Sequence, residues 1–271
     1  MRLRLAAALA CVGWALLGTA WGADPDPEAS AVWRKVRADL FAGRPIAPGE
    51  GVVSLEAPAR AADAAVVPIA IRAAFPQSAA RSIDRVWLVI DHNPSPIAAV
   101  FHFTQESGRA DIETRVRIDE YTWVRAIAAT SDGNLYMAER YVKASGGCSA
   151  PAATDTAQAK ASLGRVSVRL EEGAPPGAPT RVQLLISHPN DSGLAMDQLT
   201  RHYIPSHFVR SVEVRHAGML VMSADVDFSI SENPYFRFYL VPGDGGALET
   251  RVVDNHDLEF TNGISLAPRA R

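Results

Sequence analysis

Apolar side chains recur at helical spacing near the start of the chain: Val32, Trp33, Val36, Leu40 and Phe41 fall on one face. Ser30 stands where an N-cap is needed, and Gly43 with Pro45 closes the run, so the pattern predicts one short helix. Beyond it the period drops to two. Ile112, Thr114, Val116 and Ile118 alternate with Asp111, Glu113, Arg115 and Arg117, the signature of a strand with one wet face. Further strands are expected over 65–72, 86–90, 97–103, 121–129 and 135–142. Pro68 should push the first of these towards a sheet edge, because proline has no N–H for the ladder. Asp91-His92-Asn93-Pro94-Ser95-Pro96 is a strong turn between the second and third.

From Lys143 to Gly164 the composition shifts to Ala, Ser, Thr and Gly, with no aromatic residue and no sustained period; this reads as an interdomain linker. Alternation then resumes in Val166, Val168 and Leu170. More strands are expected over 181–187, 208–215, 219–226, 235–241, 248–253 and 258–261, with turns at Gly218, Pro242–Gly246 and Asp254-Asn255. The fold class is therefore mainly β: two antiparallel β-sandwich domains and a short N-terminal helix.

The first 22 residues do not enter that count. Arg2 and Arg4 precede an uncharged stretch from Leu5 to Leu17, then small residues up to Ala23, which is the plan of a secretory signal peptide cut after Gly22 or Ala20. The apolar run is shorter than the roughly 20 residues needed to span a bilayer. An exported, periplasmic protein without a membrane segment after cleavage is the expectation. Loss of Arg2 and Arg4 leaves 25 basic against 30 acidic side chains, which argues against nucleic acid as a partner.

Enzymatic constellations are missing. The sequence has no phosphate-binding GxxxxGK, no HExxH, no CxxC and no Gly-x-Ser-x-Gly elbow. His188, His202, His207 and His216 cluster in the second half, but their spacing matches no compact ligand motif and no cysteine lies near, so no metal and no cofactor is expected. They read as turn-capping or solvent-facing side chains. Trp87, Trp123, Tyr235, Phe236 and Phe238 read as core and sheet-face residues.

Cysteine arithmetic singles out one residue. Cys11 would leave with the signal, so Cys148 is the one mature thiol. It stands in Gly146-Gly147-Cys148-Ser149-Ala150-Pro151, where the glycines suggest a thin, flexible arm that can carry the thiol into a partner's cleft. An ordinary thiol with a pKa near 8.5 is a modest nucleophile, suited to attachment on demand. A Cys148-linked homodimer is compatible with the same residue.

These segments carry a family resemblance. The stretch ending in Gly146-Gly147-Cys148, together with the Asp91-His92-Asn93-Pro94 turn and 97–103, resembles SoxY, a sulfur-oxidation carrier subunit. His188-Pro189 with Gly193, Ile204-Pro205-Ser206-His207-Phe208, and Ile230-Ser231-Glu232-Asn233-Pro234-Tyr235-Phe236-Arg237-Phe238 resemble its partner SoxZ. The order matches a fused family, the quinoprotein dehydrogenase-associated SoxYZ-like carriers. The resemblance implies two immunoglobulin-like sandwiches: a SoxY-like domain over 29–143, a linker over 144–164 carrying Cys148, and a SoxZ-like domain over 165–271. It implies that Cys148 is the covalent attachment site for a sulfur intermediate and that Gly146 and Gly147 free the arm. It further implies partners among periplasmic redox enzymes: sulfur-oxidation enzymes, c-type cytochromes or a quinoprotein dehydrogenase. An accessory factor that binds such a dehydrogenase without covalent chemistry is the other reading. Two departures stand out: the arm is internal, followed by Ser149-Ala150-Pro151, and Arg251 to Asn255 lacks a tryptophan expected in SoxZ.

Overall fold

The computed structural model describes residues 24–151, 161–175 and 177–266. The segment read as a signal peptide and the middle of the segment read as a linker lie outside them. The first element is helix α1 (Ala31–Phe41), capped by Ser30, whose Oγ accepts the Trp33 N–H at 3.1 Å. It ends one residue before Gly43, at Ala42, which itself takes a left-handed conformation.

Fifteen strands follow in the described residues. In the first half they are β1 (Ile46–Pro48), β2 (Val53–Glu56), β3 (Val67–Ala73), β4 (Ile83–Ile90), β5 (Ile97–Phe103), β6 (Ile112–Val116), β7 (Thr122–Thr130) and β8 (Leu135–Val142). In the second they are β9 (Val166–Leu170), β10 (Thr180–Ile186), β11 (Val209–His216), β12 (Met219–Val226), β13 (Tyr235–Leu240), β14 (Gly246–Asp254) and β15 (Glu259–Leu266). The periodicity missed β1 and β2, which are too short to show alternation.

The strands form two sheets, and both run through the two halves without a break. The nine-stranded sheet has the order β1-β8-β7-β4-β5-β12-β11-β14-β15, and the six-stranded sheet β2-β3-β6-β13-β10-β9. Each half is thus an immunoglobulin-like sandwich, and the sandwiches join edge to edge at β5·β12 and β6·β13. At the first seam Phe103 to Ala99 pairs with Met222 to Val226. One hydrophobic core, drawn from both halves, fills the space between the sheets. Phe101 on β5 meets Phe236 on β13 edge-on, centroids 6.2 Å apart, across halves and across sheets. The two domains read from the sequence therefore share one interior.

Pro68 does not place β3 at an edge; β3 lies between β2 and β6. The short β2 pairs only with Ala70 to Ala73, so it ends before reaching Pro68, and the missing N–H meets no ladder on that side.

Helix α1 lies on the outer face of the larger sheet, burying Trp33, Val36 and Phe41 against Val89, Ile127 and Leu135. Under it is a buried ion pair. Arg125 donates through Nε and Nη2 to both carboxylate oxygens of Asp91, at 2.9 and 2.8 Å, with both side chains fully buried. Its Nη1 also pairs with Glu139, and the Trp33 ring covers the guanidinium at 4.4 Å. Removing one member of such a pair strands a charge in low dielectric. Arg125→Ala is expected to cost about 3–5 kcal/mol of unfolding free energy, and a joint Asp91→Leu/Arg125→Met replacement to recover most of it. Urea unfolding of the three variants measures both effects.

Candidate functional site

Cys148 lies at the junction of the two halves, in a turn that follows β8. It has no exposed surface. The turn is held by backbone bonds to the segment after β6: the Gly146 N–H donates to the Asp119 carbonyl at 2.8 Å, and the Gly147 N–H to the Ile118 carbonyl at 2.9 Å. The second half closes over it. Ser192 Oγ donates to the Cys148 carbonyl at 2.5 Å.

The two glycines do not act as a loose hinge here. A Cβ on Gly147 would lie 2.0 Å from the Ala64 carbonyl oxygen and 2.7 Å from that of Ile118, so the residue is glycine because backbones meet there. Gly146 holds a left-handed φ of 82°, which shapes the turn. The thiol, read from sequence as projecting on a flexible arm, is packed into the seam instead. Burial pushes its pKa up to about 12; Asp119 and Asp227 add to the rise, and Arg117 opposes it. Near neutrality the seated thiol is neutral and shielded.

Arg117, in sequence one polar position of an alternating strand, is a buried side chain of this site. It lies just beyond β6, is 2% exposed, and reaches both halves. Its Nη1 donates to the Gly147 carbonyl at 3.3 Å and to that of Ala150 at 3.5 Å. Its Nη2 donates to the Asn190 carbonyl at 3.4 Å.

Several segments quoted above for the resemblance, with their neighbours, help to build this seat. Asn93, in the turn before β5, donates Nδ2 to the Arg117 carbonyl and to Ser229 Oγ, and its Oδ1 accepts the Asp119 N–H. Asp91, two residues earlier, is the partner of Arg125. The Arg117 N–H crosses the seam to the Ser229 carbonyl at 2.7 Å, and Ser231 returns a bond to Arg115. Asn190 holds the neighbouring loop: its Oδ1 accepts the Val209 N–H and its Nδ2 donates to the Ile230 carbonyl. Asn233, at a left-handed φ of 50°, brackets His188 from both sides of the backbone. Asn93, Asn190 and Ser192 were not legible as site residues. The one available signal was that turn asparagines preceded prolines or closed strands inside motifs that looked family-specific.

The histidines behave differently from the sequence reading. His188 and His216 are buried, not solvent-facing. His188, His207 and Asp254 converge with ligand atoms within 4.8 Å, an arrangement that could hold a metal ion. His207 Nε2 is 2.7 Å from Asp254 Oδ2, and His188 Nε2 is 3.5 Å from the same oxygen. However, His188 Nδ1 accepts the Asn190 N–H at 3.1 Å, which puts the neutral ring's proton on Nε2. That nitrogen then carries a hydrogen, makes no hydrogen bond to the carboxylate 3.5 Å away, and offers no lone pair to an ion. The cluster clamps the 188–208 loop to the end of β14.

The geometry thus defines a β-sandwich protein, built in two halves, whose one described thiol is gripped by both. Each half matches a known protein family. Residues 37–148 match the family model "Sulfur oxidation protein SoxY", and residues 168–264 match "Sulphur oxidation protein SoxZ". The chain carries the two in tandem and belongs to the fused SoxYZ-like family of sulfur-oxidation carriers. Among solved structures it is similar to the sulfur carrier protein SoxY from Chlorobium limicola f thiosulfatophilum, at 22% identity over 44% of this chain and 97% of that one, TM-score 0.37. It is also similar to a superoxide reductase (neelaredoxin) from Ignicoccus hospitalis, at 18% identity over 34% of this chain and 79% of that one, TM-score 0.31. No curated protein matches the sequence.

Two outcomes follow from this packing. Ellman's reagent should react with native Cys148 at least about a hundredfold more slowly than with the denatured chain, because the turn must open first. Gly147→Ala should raise that native rate, since its Cβ displaces the turn from Ala64. The second outcome concerns acid. Burial, with His207 adding to it, lowers the His188 pKa from 6.5 to about 4, while Asp254 opposes the fall. The unfolded ring takes its proton near 6.5 and the folded ring only near 4, so acidification through that window favours unfolding. Denaturant midpoints should fall across it by the equivalent of about 3 kcal/mol, and His188→Gln should flatten the fall while lowering stability at neutral pH.

Proposed function

We propose that this chain is a periplasmic carrier that holds a sulfur intermediate covalently on Cys148 and hands it between partner enzymes. The observation that carries this reading is the position of the thiol. Cys148 ends the segment matched to SoxY and is covered by the Asn190–Ser192 loop within the segment matched to SoxZ, so both halves converge on it. A buried neutral thiol is protected from oxidation and from cross-linking. It becomes reactive when the 144–149 turn lifts, which costs the two backbone bonds of Gly146 and Gly147 and the Ser192 contact. Activation then falls to the enzyme that captures the lifted turn. Sulfur-oxidation enzymes and c-type cytochromes are the partners this reading favours, with carriage and not turnover as the role of the chain itself.

Intact-mass measurement on protein taken natively from the periplasm tests it. A reducible mass increment mapping to Cys148 is expected. Unmodified thiol under substrate-replete growth, with full function retained by Cys148→Ser, overturns it. Retained binding to a quinoprotein dehydrogenase by the same variant would point instead to an accessory role.

A further inference from the structure

Arg117 is a buried cation with spare capacity. Its three hydrogen bonds all go to carbonyls and are all long, 3.3 to 3.5 Å. Its Nε is buried with no hydrogen-bond partner. No carboxylate pairs with it among the described residues, in contrast to Arg125, which is paired with Asp91 and Glu139. A charge held this way is expensive unless an anion completes it. Burial lowers the Arg117 pKa, while Cys148, Glu232, Asp191 and Asp63 act in the opposite direction from beyond pairing distance.

The location indicates where that anion would come from. The guanidinium grips the carbonyls of Gly147 and Ala150, which bracket Cys148 in the chain. A group extending from the Cys148 sulfur emerges next to it. We propose that Arg117 is the receptor for an anionic, sulfonate-ended cargo on Cys148. This rests on the carrier reading and adds its charge selectivity. A guanidinium suits a sulfonate because its fork presents parallel N–H groups to two oxygens. The seated thiol has no free surface, so the cargo makes its room by replacing the long carbonyl bonds to Gly147 and Ala150. An anionic cargo is then held at the seam by charge, whereas a neutral cargo of similar length lifts the turn and receives nothing in return.

The test uses the full mature chain loaded chemically on Cys148 during brief opening at alkaline pH. Tetrathionate gives the anionic form: the thiolate attacks one of its central sulfurs, forming Cys–S–S–SO3− and releasing thiosulfate. Methyl methanethiosulfonate gives the neutral form Cys–S–S–CH3 and releases methanesulfinate. Hydrogen exchange of the peptide containing Gly146 and Gly147 is then followed at neutral pH. The sulfonate adduct should protect these amides about tenfold better than the methyl adduct, the yield of one hydrogen bond to a charged group. Arg117→Lys should narrow the difference and Arg117→Gln should abolish it. Equal protection of the two adducts in the unsubstituted protein overturns the proposal, even if Arg117→Gln fails to fold. So does an undiminished difference in Arg117→Gln. Chemical loading does not depend on the native cargo, so a native protein found without an adduct would refute the carrier reading and leave this comparison to decide the role of Arg117.

Discussion

The structure depends on the seam where the two halves share their sheets. β5 pairs with β12 over five residues, and β6 meets β13 at Glu113 and Arg237. An isolated sandwich of either half would leave these strand edges unpaired and the core side chains next to them uncovered. Joined, they bury Phe101 and Phe236 against each other, and the polar face is locked by Glu113, held by Arg72 from its own half and Arg237 from the other. The seam is thus a continuation of both sheets, with an interior like that of a single domain.

The same seam creates the environment of Cys148. Where β6 runs out, the chain from Arg115 to Asp119 keeps an extended path and exchanges backbone bonds with Ser229 and Ser231 on one side and with Gly146 and Gly147 on the other. The cysteine turn therefore occupies the place of one more short strand. A thiol there is desolvated because its neighbours are main chain and the 188–192 loop, and its high pKa follows from position and not from any special partner. Reactivity becomes a property of whether the turn is seated. That differs from a permanently exposed arm, in which the thiol's own pKa would set the rate.

Much of the fold was legible because alternation marks β6 and β9, because an apolar run closed by the Asp91–Pro96 turn marks β4, and because Ser30 and the spacing from Val32 to Phe41 define the helix. Cys148 was legible as the one cysteine beyond the stretch read as a signal peptide. Its burial was not, since Gly-Gly-Cys reads as flexible when the residues that press on it, Ala64 and Ile118, are far away in sequence. Asn93 and Asn190 were hidden for a related reason. A turn asparagine in sequence looks like local turn chemistry, yet here the side chains reach 24 and 40 residues away to fix Arg117 and the loop over Cys148. Arg117 itself alternates correctly as a polar position, and only the second half's cover turns it inward.

Carrying both halves in one chain changes what the turn can do. The cysteine is tethered on both sides, and upstream the backbone is anchored at Lys143 by its pairing with Arg60. Five residues of extended chain from that anchor give a reach of about 16 Å. On the carrier reading proposed above, such a turn serves a partner bound near the seam and not a remote one. The loop from Asp191 to His207 borders that position and exposes Leu199 and Tyr203 at its outer side, while its base, at Ser192, still holds the Cys148 carbonyl. In a fused chain the reseating step is intramolecular, so a lifted turn returns without having to find a second subunit.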